Sequence, residues 1–247
     1  MRTIILFLAL LASTSGAGAT IHRNALWIVL QSCVVAQTAG IPFPCLAVNL
    51  ASGAGQGHAV LRAPFSTTRV LVMPIDKVEG IESPILQRAD ARAYWRAALD
   101  ARRFVAEALG GRISLSEVAL AVNSRVGRSQ DHLHIHVDCL KPSVRLALRR
   151  HASVFTARWT PLKFALEGAR YFGLKVGASE TEGFNPFESL ASLPGARQDL
   201  RVTSLAVVSA PAESGGGIYV LAYRGRWSPV EGLLDPTCST ASRSAAR

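Results

Sequence analysis

The run Gln130-Asp131-His132-Leu133-His134-Ile135-His136-Val137-Asp138 sets three histidines at alternate positions, each followed by an aliphatic residue. Side chains on a strand alternate between faces, so this period predicts a strand with His132, His134 and His136 on one face. Leu133, Ile135 and Val137 then anchor the other face to a core. Imidazole titrates near neutrality, and a row of three suits nucleophilic attack, proton transfer or metal binding.

The remaining segments predict an α+β fold. Asn24 is read as the cap of a nearly continuous apolar helix from Ala25 to about Ala36, packed on the core or near a membrane. Short strands are expected at Ala59 to Arg62 and Arg69 to Met73, and Pro74 closes the second. Asp90 then caps a helix in which Tyr94, Ala98, Ala101, Val105 and Ala108 recur at helical spacing until Gly110-Gly111 stop it. Val118 to Val122 is an aliphatic strand, and pairing it antiparallel with the histidine strand would put Asn123 and the turn Ser124 to Ser129 beside the row. Beyond Pro142 come a basic helix from about Ser143 to Thr156, a strand near Tyr171 to Val176 and a helix around Pro186 to Leu193. Strands follow at Arg201 to Ser209 and Ile218 to Arg224, and the tail from Ser239 is expected to fray. No long linker interrupts residues 20–247, which read as one domain.

Residues 1–19 are a separate unit. Arg2, the apolar stretch Ile4 to Ala12 and Ala17-Gly18-Ala19 have the parts of a secretory signal, with an uncleaved membrane anchor as the alternative. Export makes the four cysteines candidates for bridges. Three pairings are possible; the expected one joins Cys33 to Cys45 around Pro42 and Pro44, and Cys139 to Cys238 across the end of the histidine strand. The formal charge of +10 and pI of about 10.2 favour anionic partners. Dispersed basic residues, export and the lack of any nucleic-acid motif argue against nucleic acid and for phosphorylated small molecules or an anionic membrane surface.

A metal site would draw on two of the three histidines. Positions two apart on a strand are about 6.6 Å apart and can converge on a zinc, whereas the outer pair, at about 13 Å, cannot without bending the strand. His58, His151, Asp131 and Asp138 are available as further ligands, without diagnostic spacing. A metal-free site would use all three, the central imidazole attacking phosphorus while its neighbours bind phosphate oxygens and protonate the leaving group.

The segment His132-Leu133-His134-Ile135-His136-Val137 resembles the signature of the histidine triad superfamily of nucleotide hydrolases and transferases. That resemblance implies an antiparallel sheet with packed helices, here extended by a C-terminal α+β half that could stand in for a partner subunit. A closer resemblance is carried by Val72-Met73-Pro74, Gly80-Ile81-Glu82-Ser83-Pro84-Ile85-Leu86, Ala121-Val122-Asn123-Ser124-Arg125, Gly127-Arg128-Ser129-Gln130 with the row and Cys139, and Arg158-Trp159. These stretches, with the hydrophobic N-terminus and the early cysteine pair, look like those of the bacterial CDP-diacylglycerol pyrophosphatases. Two positions depart from the superfamily pattern: Gln130 lies nearer the first histidine than usual, and Asp138 stands where an apolar residue is favoured.

The resemblance implies hydrolysis of CDP-diacylglycerol to CMP and phosphatidate through a nucleotidyl-His134, without cofactor or metal, at the periplasmic face of the inner membrane. His136 is the candidate for protonating the leaving group and His132 for orienting the row. Asn123, Ser124, Arg125, Arg128 and Gln130 are candidates for cradling the diphosphate, whose spread charge rewards preorganised donors and cations. Two readings from other classes stand beside it: a zinc phosphoesterase using two of the histidines, and a non-catalytic nucleotide- or lipid-binding protein.

Overall fold

The alternating and β-branched segments join in one nine-stranded sheet in which every neighbouring pair is antiparallel. The structure, a computed structural model, describes residues 23–51, 57–195, 200–227, 229–239 and 241. The 1–19 segment read as a signal or anchor therefore lies outside the described residues. Among these, no helix is long and apolar enough to cross a membrane.

The strands are β1 Ala47–Asn49, β2 His58–Arg62, β3 Val70–Pro74, β4 Val118–Val122, β5 Ile135–Cys139, β6 Thr160–Leu166, β7 Ala169–Val176, β8 Thr203–Ser209 and β9 Ile218–Arg224. The helices are α1 Ala25–Thr38, α2 Arg92–Ala108, α3 Pro142–Arg150 and the single turn α4 Pro186–Ser189. The strand order is β1-β2-β3-β5-β4-β8-β9-β7-β6. Two hairpin-helix-hairpin units, β2-β3-α2-β4-β5 and β6-β7-α4-β8-β9, thus enter in mirrored order and meet at β4 and β8. The C-terminal half continues the sheet of the first half as a second copy of its topology. β4 and β8 lie at the centre with both faces covered, which is why they read as unbroken apolar runs rather than alternating ones.

On one face, Val60, Val72, Leu120, Ile135, Val137, Leu205 and Val220 pack under α2 and α4. The alanines at 97, 98 and 101 let α2 lie close to the sheet, and Trp95 meets Phe187 of α4 edge to face at 5.8 Å. The helix stops where the Gly110 and Gly111 amides bond back to the carbonyls of Glu107 and Ala106. The other face carries two separate apolar clusters. Leu26, Leu30 and Cys33 of α1 cover Ala59, Leu61, Leu71 and Met73. Val144 and Leu148 of α3, with Val230 and Leu233, cover Ala119, Ala121, Ala206, Val208 and Leu221. The strip between the clusters belongs to β5.

Several expectations are corrected. The strand of the histidine row begins only at Ile135, so His132 and His134 precede it. Asp90 pairs with Arg88, and α2 starts at Arg92 after a short 3-10 turn. The basic helix ends at Arg150 rather than near Thr156; a 3-10 turn over Ala152–Val154 follows, and Phe155 stacks on Tyr219 at 3.9 Å. At the start of the tail expected to fray, the Ser239 amide and hydroxyl are held by Asp235 and Ala241 is buried, while residues 240 and 242–247 lie outside the described residues. Both expected disulfides are present, Cys33–Cys45 and Cys139–Cys238.

Candidate active site

The alternation of β5 sends Ile135 and Val137 into the α2 side and leaves His136 and Asp138 on the opposite face. His134 extends the pattern by one step beyond the strand end. Its ring lies 4.9 Å from that of His136, edge to face. The neighbouring strands make room: β4 offers only Ala119 and Ala121 on this face, with Ala121 registered against His136. Continuing that register sets Asn123 across from His134.

Each histidine is held differently. His132 sits in the bend before the strand, where its Nε2 donates to the Pro74 carbonyl oxygen at 2.9 Å and its ring lies 5.0 Å from Trp27 of α1. Burial pushes its pKa down to about 4, against the opposing pull of the Pro74 bond. In His134, Nδ1 donates to the His132 carbonyl oxygen at 2.7 Å, which fixes the tautomer and leaves the lone pair of the neutral ring on Nε2. Burial lowers its pKa too, the Arg128 charge adding and the His132 carbonyl and Glu231 opposing. His136 has neither ring nitrogen in a hydrogen bond, although Nε2 lies 3.3 Å from Glu231 Oε1. Burial, reinforced by His134 and Arg69, holds it well below the ordinary histidine range, so the contact with Glu231 is that of a neutral ring.

Glu231 comes from the C-terminal half, on the 3-10 turn Val230–Leu233. Besides facing His136 it accepts from the Asn123 amide and from Arg69 at 3.0 Å. Arg69 continues to the buried Asp138, which also accepts from Thr68 Oγ1 and the Cys139 amide at 3.0 Å. Burial raises the Asp138 pKa, opposed by those three donors. The departure at Asp138 thus has a physical cause: its side chain anchors the arginine that anchors Glu231.

The expected cradle residues divide into groups. Asn123 and Ser124 are both buried at the end of β4; Ser124 donates its amide to Ser204, and its hydroxyl has no partner. Arg128 is buried and spends its guanidinium on Glu82 at 2.7 Å and Asp131 at 3.2 Å. Gln130 accepts the Leu26 amide at 2.9 Å and so caps α1, the part expected of Asn24, whose side chain makes no capping bond. Arg125 is exposed and lines, with Arg201, Arg224 and Arg226, an open cavity of about 770 Å³ beside the ends of β4 and β9.

Sequence reasoning missed Glu231, Arg69, Trp27 and Glu82. Glu231 and Trp27 stand 95 or more positions from the central histidine, and no local pattern marks them. Glu82 and Gly80 were visible only as a resembling stretch. Their role is spatial: a Cβ on Gly80 would fall 2.1 Å from Arg128 Nη1, so the glycine lets the guanidinium in and Glu82 neutralises it. Among the described residues one grouping has the composition of a metal site, Asp138 with Cys139 and Cys238, but both sulfurs are in a disulfide and only the carboxylate can ligate.

Two comparisons with known proteins point to one family. Residues 21–242 match the family described as CDP-diacylglycerol pyrophosphatase. A curated protein of Yersinia pestis named CDP-diacylglycerol pyrophosphatase is 36% identical over 225 residues, covering 88% of this chain and 84% of that protein.

Proposed function

The chain belongs to the CDP-diacylglycerol pyrophosphatase family, and on that premise we propose that it hydrolyses the diphosphate bond of CDP-diacylglycerol to CMP and phosphatidate through a nucleotidyl-His134. The observation that carries the mechanism is the 2.7 Å bond from His134 Nδ1 to the His132 carbonyl, which aims a lone pair through Nε2. In the first step Nε2 attacks the phosphorus of the cytidylyl half. The P–N bond forms as the bond to the phosphatidate oxygen breaks, and that oxygen leaves with the bonding pair. The positive charge gained by the ring is shared with the carbonyl behind Nδ1. Water then attacks the same phosphorus, the P–N pair returns to Nε2, and CMP departs while the proton of the water passes to solvent.

The surrounding residues fit these steps. Buried polar atoms without partners are rare and call for an explanation. The ring nitrogens of His136 and the hydroxyl of Ser124 are such atoms. Diphosphate oxygens accept from the Ser124 hydroxyl and from the one N–H of the neutral His136 ring, which donates to the leaving oxygen. Glu231 holds Asn123 from the far half of the sheet and lies 3.3 Å from His136, and burial, with the Arg128 charge adding, keeps His134 neutral. Arg125 and the arginines around it give this end of the molecule a positive field for an anionic headgroup.

The lipid half of the substrate places the reaction at a membrane surface, and the two disulfides fit an exported protein at the periplasmic face. The test is CMP release from CDP-diacylglycerol by purified protein. His134→Ala is expected to lower it by about three orders of magnitude or more. Full activity in that variant would overturn the nucleophile; loss on chelation restored by zinc would overturn the metal-free route.

A further inference from the structure

Helix α1 has two apolar faces, and the sheet uses only one. Leu26, Leu30 and Cys33 pack inward on β2 and β3. On the outer side Ile28 and Val35, two helical turns apart, are 57% and 69% exposed. The Cys33–Cys45 bridge ties the following loop to the helix, and there Ile41 and Phe43 are 66% and 77% exposed. A helix on an ordinary protein surface turns charged residues outward. From Asn24 through Gly57 this chain has no Asp, Glu, Lys or Arg.

Three further observations say what covers this face. The chain enters α1 directly from residues 1–22, whose apolar stretch Ile4 to Ala12 is read as a membrane-directed segment. The surface is neutral as well as apolar, which suits insertion between headgroups rather than a charged protein partner. The same helix also touches the site. Trp27 contacts His132, Gln130 caps the Leu26 amide, and Arg23 pairs with Asp131 at 2.7 Å.

We propose that the outer face of α1, with Ile41 and Phe43, is the surface through which the protein seats on a lipid bilayer, holding the histidine row at headgroup level. The diphosphate of a membrane-embedded liponucleotide then reaches His134 while its acyl chains remain in the bilayer. This inference rests on the liponucleotide reading of the site.

The test compares CDP-diacylglycerol presented in phosphatidylethanolamine/phosphatidylglycerol vesicles with a short-chain, water-soluble analogue, using the full chain and Val35→Glu/Ile41→Glu. The variant is expected to lose about tenfold or more activity on vesicles and to stay within about twofold on the soluble analogue. Unchanged vesicle activity would overturn the proposal by leaving membrane contact to the N-terminal segment alone. Equal loss on both substrates would also overturn it, as would a wild-type dimer that the variant converts to monomer. A second measurement does not need turnover: tryptophan emission added by Phe43→Trp should be quenched by brominated lipids, and absence of quenching refutes the seat. If wild type cleaves neither substrate, the proposed activity fails while the quenching result still decides the surface.

Discussion

Removing Glu82 should unfold the support of the site well before it touches the chemistry. The Arg128 side chain is 3% exposed and lies 2.7 Å from Glu82, itself 13% exposed. At an effective dielectric of about 20, a gap of that size is worth about 6 kcal/mol of gross attraction, much of it offset by desolvation. In Glu82→Ala the guanidinium stays buried with Asp131 alone, at 3.2 Å and on a carboxylate shared with Arg23. Breaking a buried pair from one side costs about 3–5 kcal/mol, and the surviving Asp131 contact puts this case near about 3 kcal/mol. For a domain of this size that lowers Tm by about 6–12 °C. The assay is thermal unfolding of wild type, Glu82→Ala, Arg128→Met and the double variant, with disulfides intact. The double variant buries no lone charge, so it should recover about 2 kcal/mol relative to the sum of the singles. A Tm drop below about 2 °C in Glu82→Ala, or strict additivity in the cycle, would refute the reasoning.

Glu231→Gln should cut kcat by about tenfold or more with little change in KM, because losing the charge paired with Arg69 loosens the side chain that positions Asn123 beside the row rather than ground-state binding; an unchanged kcat would remove Glu231 from the site. Burial lowers the His134 pKa, so the rate should hold level down to about pH 6.5 and fall only below it, as the nucleophile protonates. Stability has the same sign: His132 titrates at about 4 folded and 6.5 unfolded, so between these values the unfolded chain binds more protons. Its contribution is complete above pH 6.5 and about 3 kcal/mol is lost as pH falls toward 4, which urea titrations of wild type and His132→Asn would separate. Cys238→Ser opens a loop of 99 residues and should cost about 4–5 kcal/mol of unfolding free energy, read from the urea midpoint.

What the sequence could reveal depended on the range of the interaction that decides each feature. β4 at Val118–Val122 and β9 at Ile218–Arg224 were legible to the residue, because their apolar runs end at polar or turn residues. Of three possible disulfide pairings the expected one, Cys33 with Cys45 around the prolines and Cys139 with Cys238 at the end of the histidine strand, is present. β6 was missed although Leu162, Phe164 and Leu166 alternate and the turn at Glu167 and Gly168, both at positive φ, is a two-residue hairpin. Pro161 is at odds with a central strand, but β6 is an edge strand, where a missing amide does no harm. β1, three residues long, has too little pattern to detect.

The site divides along the same line. Alternation correctly put His134 and His136 side by side, and the β4–β5 pairing correctly brought Asn123 to them. The protein partners of the turn residues Arg128 and Gln130, Glu82 and the Leu26 amide, could not be read from the local sequence. Glu231 depends on the mirrored second half lying against the first, a relation that only the strand order exposes. The histidine row is a property of nine residues; its support is a property of the whole sheet.

The central claim is that His134 becomes covalently nucleotidylated. Brief exposure of the enzyme to CDP-diacylglycerol, acid-free quenching and mass analysis of intact protein and peptides tests it directly. The account predicts a cytidylyl adduct on the peptide containing His134, absent in His134→Ala and discharged to CMP on further incubation. An adduct at any other residue, or turnover with inversion at phosphorus and no adduct, would contradict it.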